Sequence, residues 1–295
     1  IILLINPYAL LEIGFQLSFG GTIGIVVFSK KLQRMKDDTK KEKFTSKRGV
    51  LVEKTLHKVK EMCMVTLSAN LVIIPIMMYY FNTISLTFFI SNLLASPILG
   101  ISLILGMIFM ISLLILPLAK LISLLLYSVL QILIWIAQVS SNLPFSQILV
   151  PTPKIWQILL YYLVLIGVFF HKAKLFLKYP FMLKYRKVMI TMLLLLIIFP
   201  SILRIIPDNK LTISFIDVGQ GDSVLIQTPS RKTILIDGGG SETGSFNVGE
   251  KTVIPYLLDK GIMNIDYMIF SHFDSDHCQG LLSVMEKLKV KNAVI

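Results

Sequence analysis

The segment 271–280 reads Ser-His-Phe-Asp-Ser-Asp-His-Cys-Gln-Gly and decides how the C-terminal part of this chain folds. It follows an apolar segment, Ile-Asp-Tyr-Met-Ile-Phe at 265–270, which predicts a β-strand, and it leads into a predicted helix over 280–289. Two imidazoles and two carboxylates therefore fall within six residues of a loop that follows a strand. Loops in this position carry the chemistry of α/β folds.

The residue types of this loop favour a metal site. The candidate metal ligands are His272, Asp274, Asp276 and His277. Zn²⁺ accepts imidazole and carboxylate ligands together, Mn²⁺ prefers more oxygen, and a carboxylate-rich site can hold two ions. Asp237, at the end of another predicted strand, is expected to orient a ligand from behind. The alternative is a polar surface loop whose aspartates cap the following helix.

The residues around this loop predict alternating strands and helices. Strands are expected at 211–216, 223–227, 233–236 and 292–295 in addition to the strand before the loop. Residues 250–260 predict a helix that Gly261 ends. The C-terminal part is therefore expected to be an α/β domain.

Charge divides the chain into two parts. The 295 residues are 55% hydrophobic, above the roughly 45–50% of an average soluble domain. Residues 1–206 carry 21 Lys and Arg against 6 Asp and Glu, whereas residues 207–295 carry 8 against 11. We predict a domain boundary between these two parts, with a membrane domain at 1–206 and the α/β domain at 207–295.

Several apolar runs in the first part are long enough to cross a bilayer. The candidate spans are 10–28, 62–81, 85–116, 121–138, 155–170 and 188–206. A helix over the whole of 85–116 would reach ~48 Å, too long for one simple crossing. Because Pro97 and Gly100 lie inside it, we expect a broken or re-entrant element over 92–100 that counts as one crossing.

Two basic segments predict the orientation of the membrane domain. Residues 30–60 contain 12 Lys and Arg against 4 acids, and residues 171–187 contain 6 and no acid. Such segments stay in the cytoplasm, and four crossings between them satisfy this rule. The last candidate span then places the residues after 207 outside the cytoplasm. A nucleic-acid-binding role for the 30–60 loop is the weaker interpretation.

Polar residues inside the candidate spans have two interpretations. Glu12, Gln16, Asn70 and Asn92 could line a water-filled pathway, because polar groups at membrane depth usually face such a path or the interior of a bundle. Hydrogen bonding between helices explains them equally well.

Three motifs together resemble a known family. His-Phe-Asp-Ser-Asp-His at 272–277 is similar to the His-x-His-x-Asp-His signature of the metallo-β-lactamase fold, with aspartate at the second ligand position. With Phe-Ile-Asp-Val-Gly-Gln-Gly-Asp-Ser at 215–223 and Ile-Leu-Ile-Asp-Gly-Gly at 234–239, it resembles the ComEC family of competence DNA-uptake channels. The stretches 12–19 and 91–97 resemble the membrane domain of that family.

The resemblance implies an α-helical polytopic membrane domain followed by a truncated αββα sandwich of metallo-β-lactamase type. It implies a channel for single-stranded DNA in the bacterial cytoplasmic membrane, with an extracytoplasmic metal-dependent nuclease domain that degrades the other strand. His272 and Asp274 would bind a first metal ion, and Asp276 and His277 a second. Asp276 would also orient the attacking hydroxide. Membrane lipid, other competence proteins and further copies of the chain are the implied partners.

Two other functions stay open. One is a membrane-anchored metallo-hydrolase acting on another ester or phosphoester, and the other is a transporter whose hydrolase domain is inactive. The chain is expected to be a fragment, with further metal ligands beyond residue 295. Gln279 stands where the family commonly has glycine, a difference expected to alter the start of the following helix and nothing else.

Overall fold

A computed structural model describes residues 2–34, 47–170, 210–241 and 246–295. The chain divides into two units. The first unit comprises Ile1–Ile76 and Ile84–Ile148, and the second comprises Met77–Thr83 and Leu149–Ile295.

Helices dominate the chain up to residue 170. They are α1 (Ile2–Ile5), a 3-10 turn (Pro7–Leu11), α2 (Ile13–Arg34), α3 (Lys47–Phe81), α4 (Phe88–Ser112), α5 (Leu116–Ser141) and α6 (Ile155–Phe170). Leu56–Phe81, Phe88–Ser112 and Leu116–Ser141 are long and apolar enough to cross a membrane, and α2 and α6 contain shorter apolar stretches. Many large apolar side chains of α4 and α5 are exposed, as in helices that face lipid. The candidate span 188–206 lies outside the described residues.

The predicted break in the third span is wrong. Helix α4 runs without interruption from Phe88 to Ser112 with Pro97 inside it. Its 25 residues correspond to ~38 Å, a length that a tilted helix can place across a bilayer. The helix is shorter than the apolar run 85–116, because it begins at Phe88 and ends at Ser112, and Leu116 already belongs to α5.

Helices α2 and α3 approach each other closely at Gly24. A Cβ atom at this position would overlap the backbone carbonyl oxygen of Ser68, which is fully buried in α3. The hydroxyl of Ser68 donates to the carbonyl oxygen of Met64 one turn earlier, so it needs no partner on α2. The contact therefore depends on a small residue, as is common between membrane helices.

The end of α3 is tied to the segment before α6. Between α3 and α4 lies strand β1 (Thr83–Ile84), which pairs with β2 (Ile148–Leu149) between α5 and α6. Asn82 is buried, and its side-chain amide donates to Oγ1 of Thr152 at 2.7 Å. The carbonyl oxygen of Asn82 accepts from the N–H of Val150 at 2.8 Å.

The second unit contains a five-stranded mixed sheet. Its strands are β3 (Thr212–Phe215), β4 (Val224–Gln227), β5 (Thr233–Ile236), β6 (Asn264–Ile269) and β7 (Lys289–Val294), and they lie in this order. Strands β3, β4 and β5 pair antiparallel, whereas β5, β6 and β7 pair parallel. The turn from β3 to β4 and the carboxyl ends of β5 and β6 therefore lie at one edge of the sheet. The β4–β5 hairpin and the starts of β6 and β7 lie at the other edge.

Helical elements cover the sheet. A π-helical turn (Gly249–Val253) leads into α7 (Ile254–Asp259), and α8 (Ser275–Lys287) follows β6. The predicted helix over 250–260 is thus a π turn followed by a short α-helix, ended by Gly261 at φ +76° as expected. The completely buried side chains include Leu225, Leu235, Leu257, Ile265, Met268 and Leu281.

The segment before α6 also contributes to this core. Leu149 packs against the buried cluster of the second unit. The N–H of Thr152 donates to the carbonyl oxygen of Leu258 in α7 at 3.2 Å. Residues that precede the predicted boundary at 206 are therefore part of the packing of the second unit.

The close approach at Gly24 predicts a specific loss of stability. We expect Gly24→Ala to push α2 away from α3, because the added methyl group would overlap the backbone of Ser68. Gly14→Ala in the same helix is the control, since its Cβ meets no atom within 4 Å. That change should be neutral or stabilise by about 0.5–1 kcal/mol through helix propensity. Thermal unfolding of the detergent-purified protein checks both, and equal midpoints for the two variants would contradict this packing.

Candidate metal centre

The sheet topology brings the predicted site residues to one edge. Asp237 directly follows β5, and Ser271 and His272 follow β6, which is parallel to β5. Open α/β sheets place their sites at the carboxyl ends of such strands. The N–H of Asp237 donates to the carbonyl oxygen of Ile269 at 3.0 Å, which fixes the two strand ends to each other.

Asp237 is the buried centre of this edge. It is 4% exposed, and its backbone adopts a left-handed conformation with φ +55°, which aspartate tolerates better than most residues. One carboxylate oxygen, Oδ1, accepts the N–H of Ser271 at 2.9 Å. The other, Oδ2, accepts the hydroxyl of Ser271 at 2.5 Å and lies 3.0 Å from Nδ1 of His277. The main-chain oxygen of Asp237 accepts the hydroxyl of Ser223 at 3.1 Å.

These hydrogen bonds determine which ring nitrogen of each imidazole is available to bind a metal ion. Because Asp237 is a carboxylate, Nδ1 of His277 is the donor to it, and the Nε2 lone pair of that ring is left available to a metal ion. Nδ1 of His272 lies 2.8 Å from the Ser271 hydroxyl, which already donates to Asp237. His272 therefore also donates through Nδ1 and leaves Nε2 available. One carboxylate thus orients two imidazoles, one of them through a serine.

The candidate ligands lie on both sides of the start of α8. This helix begins at Ser275, five residues before the predicted start at Gly280, so Asp276 and His277 are in its first turn. Asp274 is the residue preceding the helix, and its side chain makes no capping hydrogen bond. The capping interpretation therefore does not account for Asp274.

The ligand atoms converge in two overlapping groups. The first group is Asp237, His272 and His277, and the second is His272, Asp274 and Asp276. Within each group the candidate ligand atoms lie within 4.8 Å of one another, a spacing compatible with one shared ion at bond lengths of about 2.0–2.2 Å. A donor set of imidazole and carboxylate suits a divalent metal ion.

Burial decreases from the inside of the site to the outside. The side chain of His277 is 14% exposed and that of Asp276 is 32% exposed. His272 and Asp274 are 46% and 79% exposed. The site therefore opens to solvent on the side of His272 and Asp274, which is the side on which a large substrate can approach.

The contact between Asp237 and His277 shifts the pKa values of both side chains. Burial alone would raise the pKa of Asp237, but the hydrogen bonds from Ser271 and His277 outweigh it and hold that pKa below its usual range. The hydrogen bond to Asp237 raises the pKa of His277, with the charges of Asp276 and Asp222 adding to the effect. Since a metal ion needs the neutral imidazole, its binding displaces a proton from His277 when that ring is charged.

Glycines let the turn between β3 and β4 approach the site. Gly221 has φ +81°, and a Cβ on it would overlap the main-chain oxygen of Asp276. The carbonyl oxygen of Asp222 accepts the N–H of Gly239 at 2.9 Å. The Asp-Val-Gly-Gln-Gly-Asp motif at 217–222 therefore packs against the start of α8. Sequence reasoning did not assign a role in the site to Asp222.

Gln279 has a wider effect than expected. Its side-chain oxygen accepts the N–H of Ser241 at 2.8 Å, 38 residues away in sequence. The expectation that this residue affects the start of the helix and nothing else is wrong, because Gln279 also holds the segment that follows Gly240.

The candidate pathway residues are separated in the membrane domain. Asn92 lines a cavity of about 550 Å³ together with Glu61, Thr66 and Ser96. The amide of Gln16 donates to the main-chain oxygen of Leu10, that of Asn70 donates to Thr66 in its own helix, and Glu12 lies just before α2. Of the four candidates, Asn92 is the one that lines this cavity.

Comparison with known families agrees with both parts of the chain. Residues 216–295 match the metallo-β-lactamase superfamily, a class whose fold implies divalent metal binding. Residues 1–175 match the family described as competence protein. The chain belongs to this competence protein family.

Individual relatives extend the similarity. The chain is 27% identical to ComE operon protein 3 of Bacillus subtilis (strain 168) over 312 residues, which covers 100% of the chain and 36% of the relative. It is 32% identical to competence protein ComA of Neisseria gonorrhoeae over 79 residues, which covers 27% of the chain and 11% of that relative. The chain thus spans about a third or less of the length of these curated relatives. No solved structure shows a significant match.

The geometry around Asp237 predicts a loss of metal affinity on substitution. In Asp237→Asn one carboxylate oxygen becomes an amide group, which cannot accept from both Ser271 and His277. We expect the affinity for Mn²⁺ or Zn²⁺ to fall by roughly 10- to 100-fold, because the imidazoles lose their fixed orientation. Titration calorimetry of the full-length protein measures this. Asp259→Asn, an equal change at an exposed position of α7, should leave the affinity unchanged, and equal affinities for the two variants would contradict the orienting role.

Proposed function

We propose that this chain is part of a channel in the bacterial cytoplasmic membrane that takes up single-stranded DNA during natural transformation. Its C-terminal domain acts as a metal-dependent nuclease that degrades the other strand. The observation that carries the proposal is the cluster of imidazoles and carboxylates around Asp237, on a domain that continues a multi-pass competence-family membrane domain. The description of the matching family and the name of the Neisseria gonorrhoeae relative both refer to competence, and they support the same function.

The orientation of the channel forms part of the proposal. Four helical segments, Leu56–Phe81 of α3 and helices α4, α5 and α6, connect the basic segments 30–60 and 171–187, so four crossings keep both basic segments in the cytoplasm. The end of α3 and the segment before α6 are then extracytoplasmic. The hydrogen bond from Thr152 to Leu258 supports an extracytoplasmic hydrolase domain, because Thr152 lies in that segment.

Cysteine labelling tests this orientation. After replacement of Cys63 and Cys278 by serine, single cysteines are introduced as Glu286→Cys in α8 and Thr39→Cys in the basic segment. A membrane-impermeant maleimide should label the first in intact spheroplasts, because its side of the membrane is accessible. The second should react after lysis and not before. The reverse labelling pattern would refute the orientation.

The proposed chemistry assigns a role to each side chain of the site. A bound divalent ion, or a pair of Zn²⁺ or Mn²⁺ ions, supplies activation of water and neutralises charge on a phosphodiester. His272 and Asp274, the more exposed pair of side chains, would hold one ion, and Asp276 and His277 would hold a second. Asp237 keeps His277 in one tautomer, and Ser271 transmits the same restraint to His272. Asp276 also orients the attacking oxygen nucleophile.

The route of the imported strand is proposed to pass the cavity beside α4. Asn92 and Ser96 lie one turn apart in this helix, and Glu61 and Thr66 contribute from α3. Polar groups at membrane depth are costly unless water or a polar ligand satisfies them. Other competence proteins and further copies of the chain are the proposed partners of the channel.

Substitution of Asp276 separates cleavage from transport. In the full-length protein Asp276→Asn should keep the fold, because the amide has the shape of the carboxylate. Cleavage of DNA should fall by two or more orders of magnitude, since a neutral group compensates poorly for the dehydration of a divalent ion. Import of DNA supplied as a single strand should persist, because passage through the membrane domain needs no cleavage.

Two assays on the same preparations check these outcomes. One measures metal-dependent cutting of labelled duplex DNA, and the other measures import of labelled single strands. Glu286→Gln in α8 is the control, because it removes an equal charge from the same helix. Undiminished cutting by Asp276→Asn would refute the assignment of this loop as the catalytic centre. If the unsubstituted protein imports DNA without cutting it, the domain is an inactive part of a transporter.

A further inference from the structure

A basic groove lies at the edge of the sheet opposite the candidate metal centre. It has a volume of about 480 Å³ and is lined by the charged side chains of Lys210, Arg231, Lys260 and Lys291. Hydroxyl groups of the β4–β5 hairpin, including those of Thr228 and Ser230, complete its wall. Strand β5, with four residues, separates this edge from Asp237 by roughly 13 Å. The groove and the metal centre are therefore separate sites on one domain.

Charge is strongly segregated between the two edges. Four of the eight Lys and Arg residues of 207–295 line the groove, although the region as a whole carries an excess of acids. Of the eleven acids of that region, Asp266 alone is among the described lining residues. Its carboxylate accepts from Nζ of Lys291 at 2.7 Å and from the N–H of Thr233 at 2.9 Å. The groove is thus a cationic site on an otherwise acidic domain.

Arg231 lies in the β4–β5 hairpin with a backbone conformation that is unusual for a long side chain. Arg231 has φ +61°, a left-handed conformation that glycine adopts far more readily than a long side chain. The turn holds it there, because its N–H donates to the carbonyl oxygen of Thr228 at 2.8 Å. The N–H of Lys232 donates to the hydroxyl of Thr228 at 2.9 Å. A strained residue that persists at such a position is a reason to seek a function for its side chain.

Two of the basic groove residues follow segments described above. Lys260 is two residues after Leu258, whose carbonyl oxygen accepts the N–H of Thr152 in that segment. Lys210 is the first described residue after the candidate span 188–206.

We propose that this groove binds the phosphodiester backbone of the single DNA strand that enters the membrane domain. The inference rests on the proposed function and adds a guiding site at the edge away from the cleavage centre. Lysine and arginine contact phosphates without reading sequence, as uptake of DNA of any sequence requires. Anionic lipid is the weaker partner, because a lipid-binding surface inserts large apolar side chains. Of the described lining residues, Met263 is the exposed large apolar one.

The test compares two exposed lysines of the same domain. Lys260→Gln removes a groove charge, and Lys251→Gln removes a charge from the π-helical turn outside the groove. Full-length protein in nanodiscs of zwitterionic lipid is titrated with a fluorescent 20-nucleotide oligothymidine in EDTA, across a series of salt concentrations. We expect Lys260→Gln to weaken binding roughly threefold to tenfold and to lower the slope of log affinity against log salt by about 0.7. Lys251→Gln should change neither.

In a second variant, Arg231→Gly, thermal stability and DNA affinity are expected to change in opposite directions. Glycine relieves the left-handed backbone, so the thermal midpoint should rise while the affinity for the oligonucleotide falls. A structural arginine would give a higher midpoint with unchanged affinity, which would overturn its role in binding. This variant also shows that weaker binding does not result from loss of the fold.

Three outcomes overturn the proposal in distinguishable ways. Equal affinity and salt slope for the two lysine variants would exclude the groove as a DNA site. The thermal midpoint is also compared between zwitterionic nanodiscs and nanodiscs that contain phosphatidylglycerol. If Lys260→Gln binds DNA normally but no longer gains thermal stability from phosphatidylglycerol, the partner of the groove is lipid instead. Absence of oligonucleotide binding by the unsubstituted protein would contradict the proposed function itself.

Discussion

The hydrogen bonds of the Asp237 carboxylate are the constraint on which the C-terminal site depends. This one group accepts from Ser271 and His277, and through Ser271 it also determines the tautomer of His272. An ionised carboxylate can remain buried here because charged and polar donors surround it. The parallel pairing of β5 and β6 brings these residues together, and the sheet is therefore what positions both imidazoles.

The membrane domain follows a different physical rule. Ser68 and Asn70 hydrogen bond to carbonyl oxygens one turn earlier in their own helix. Close approach of backbones at Gly24 provides the contact between α2 and α3. Pro97 is accommodated within α4, which shows why a proline in an apolar run is weak evidence for a break.

Much of this architecture could be predicted from local patterns. Apolar runs predict the positions of α2 to α6, although α3 begins 15 residues before the run 62–81, and the predicted strands match β3, β4 and β5 to within one residue at their ends. Helix α8 begins at Ser275, earlier than predicted, because Asp274, which the sequence offers either as a metal ligand or as a helix cap, is the residue that precedes the helix. The role of Ser271 was also missed. Its partner Asp237 lies 34 residues away, and a contact of that kind has no local signature.

The unusual backbone conformations of this domain could not be predicted from the sequence either. Left-handed conformations at Asp237 and Arg231 occur at residues other than glycine, so composition gives no warning of them. In both cases the residue's own N–H donates to a main-chain carbonyl oxygen, that of Ile269 for Asp237 and that of Thr228 for Arg231. Glycine patterns were more informative, since Gly221 marks the position where a turn touches α8.

The packing of Leu149 has a consequence for how the protein is made. This residue belongs to the core of the C-terminal domain, yet it is synthesised before α6 and before the apolar run 188–206. The buried cluster that Leu149 contacts begins at Ile216, so Leu149 cannot be buried in this core until the later strands and helices have been synthesised.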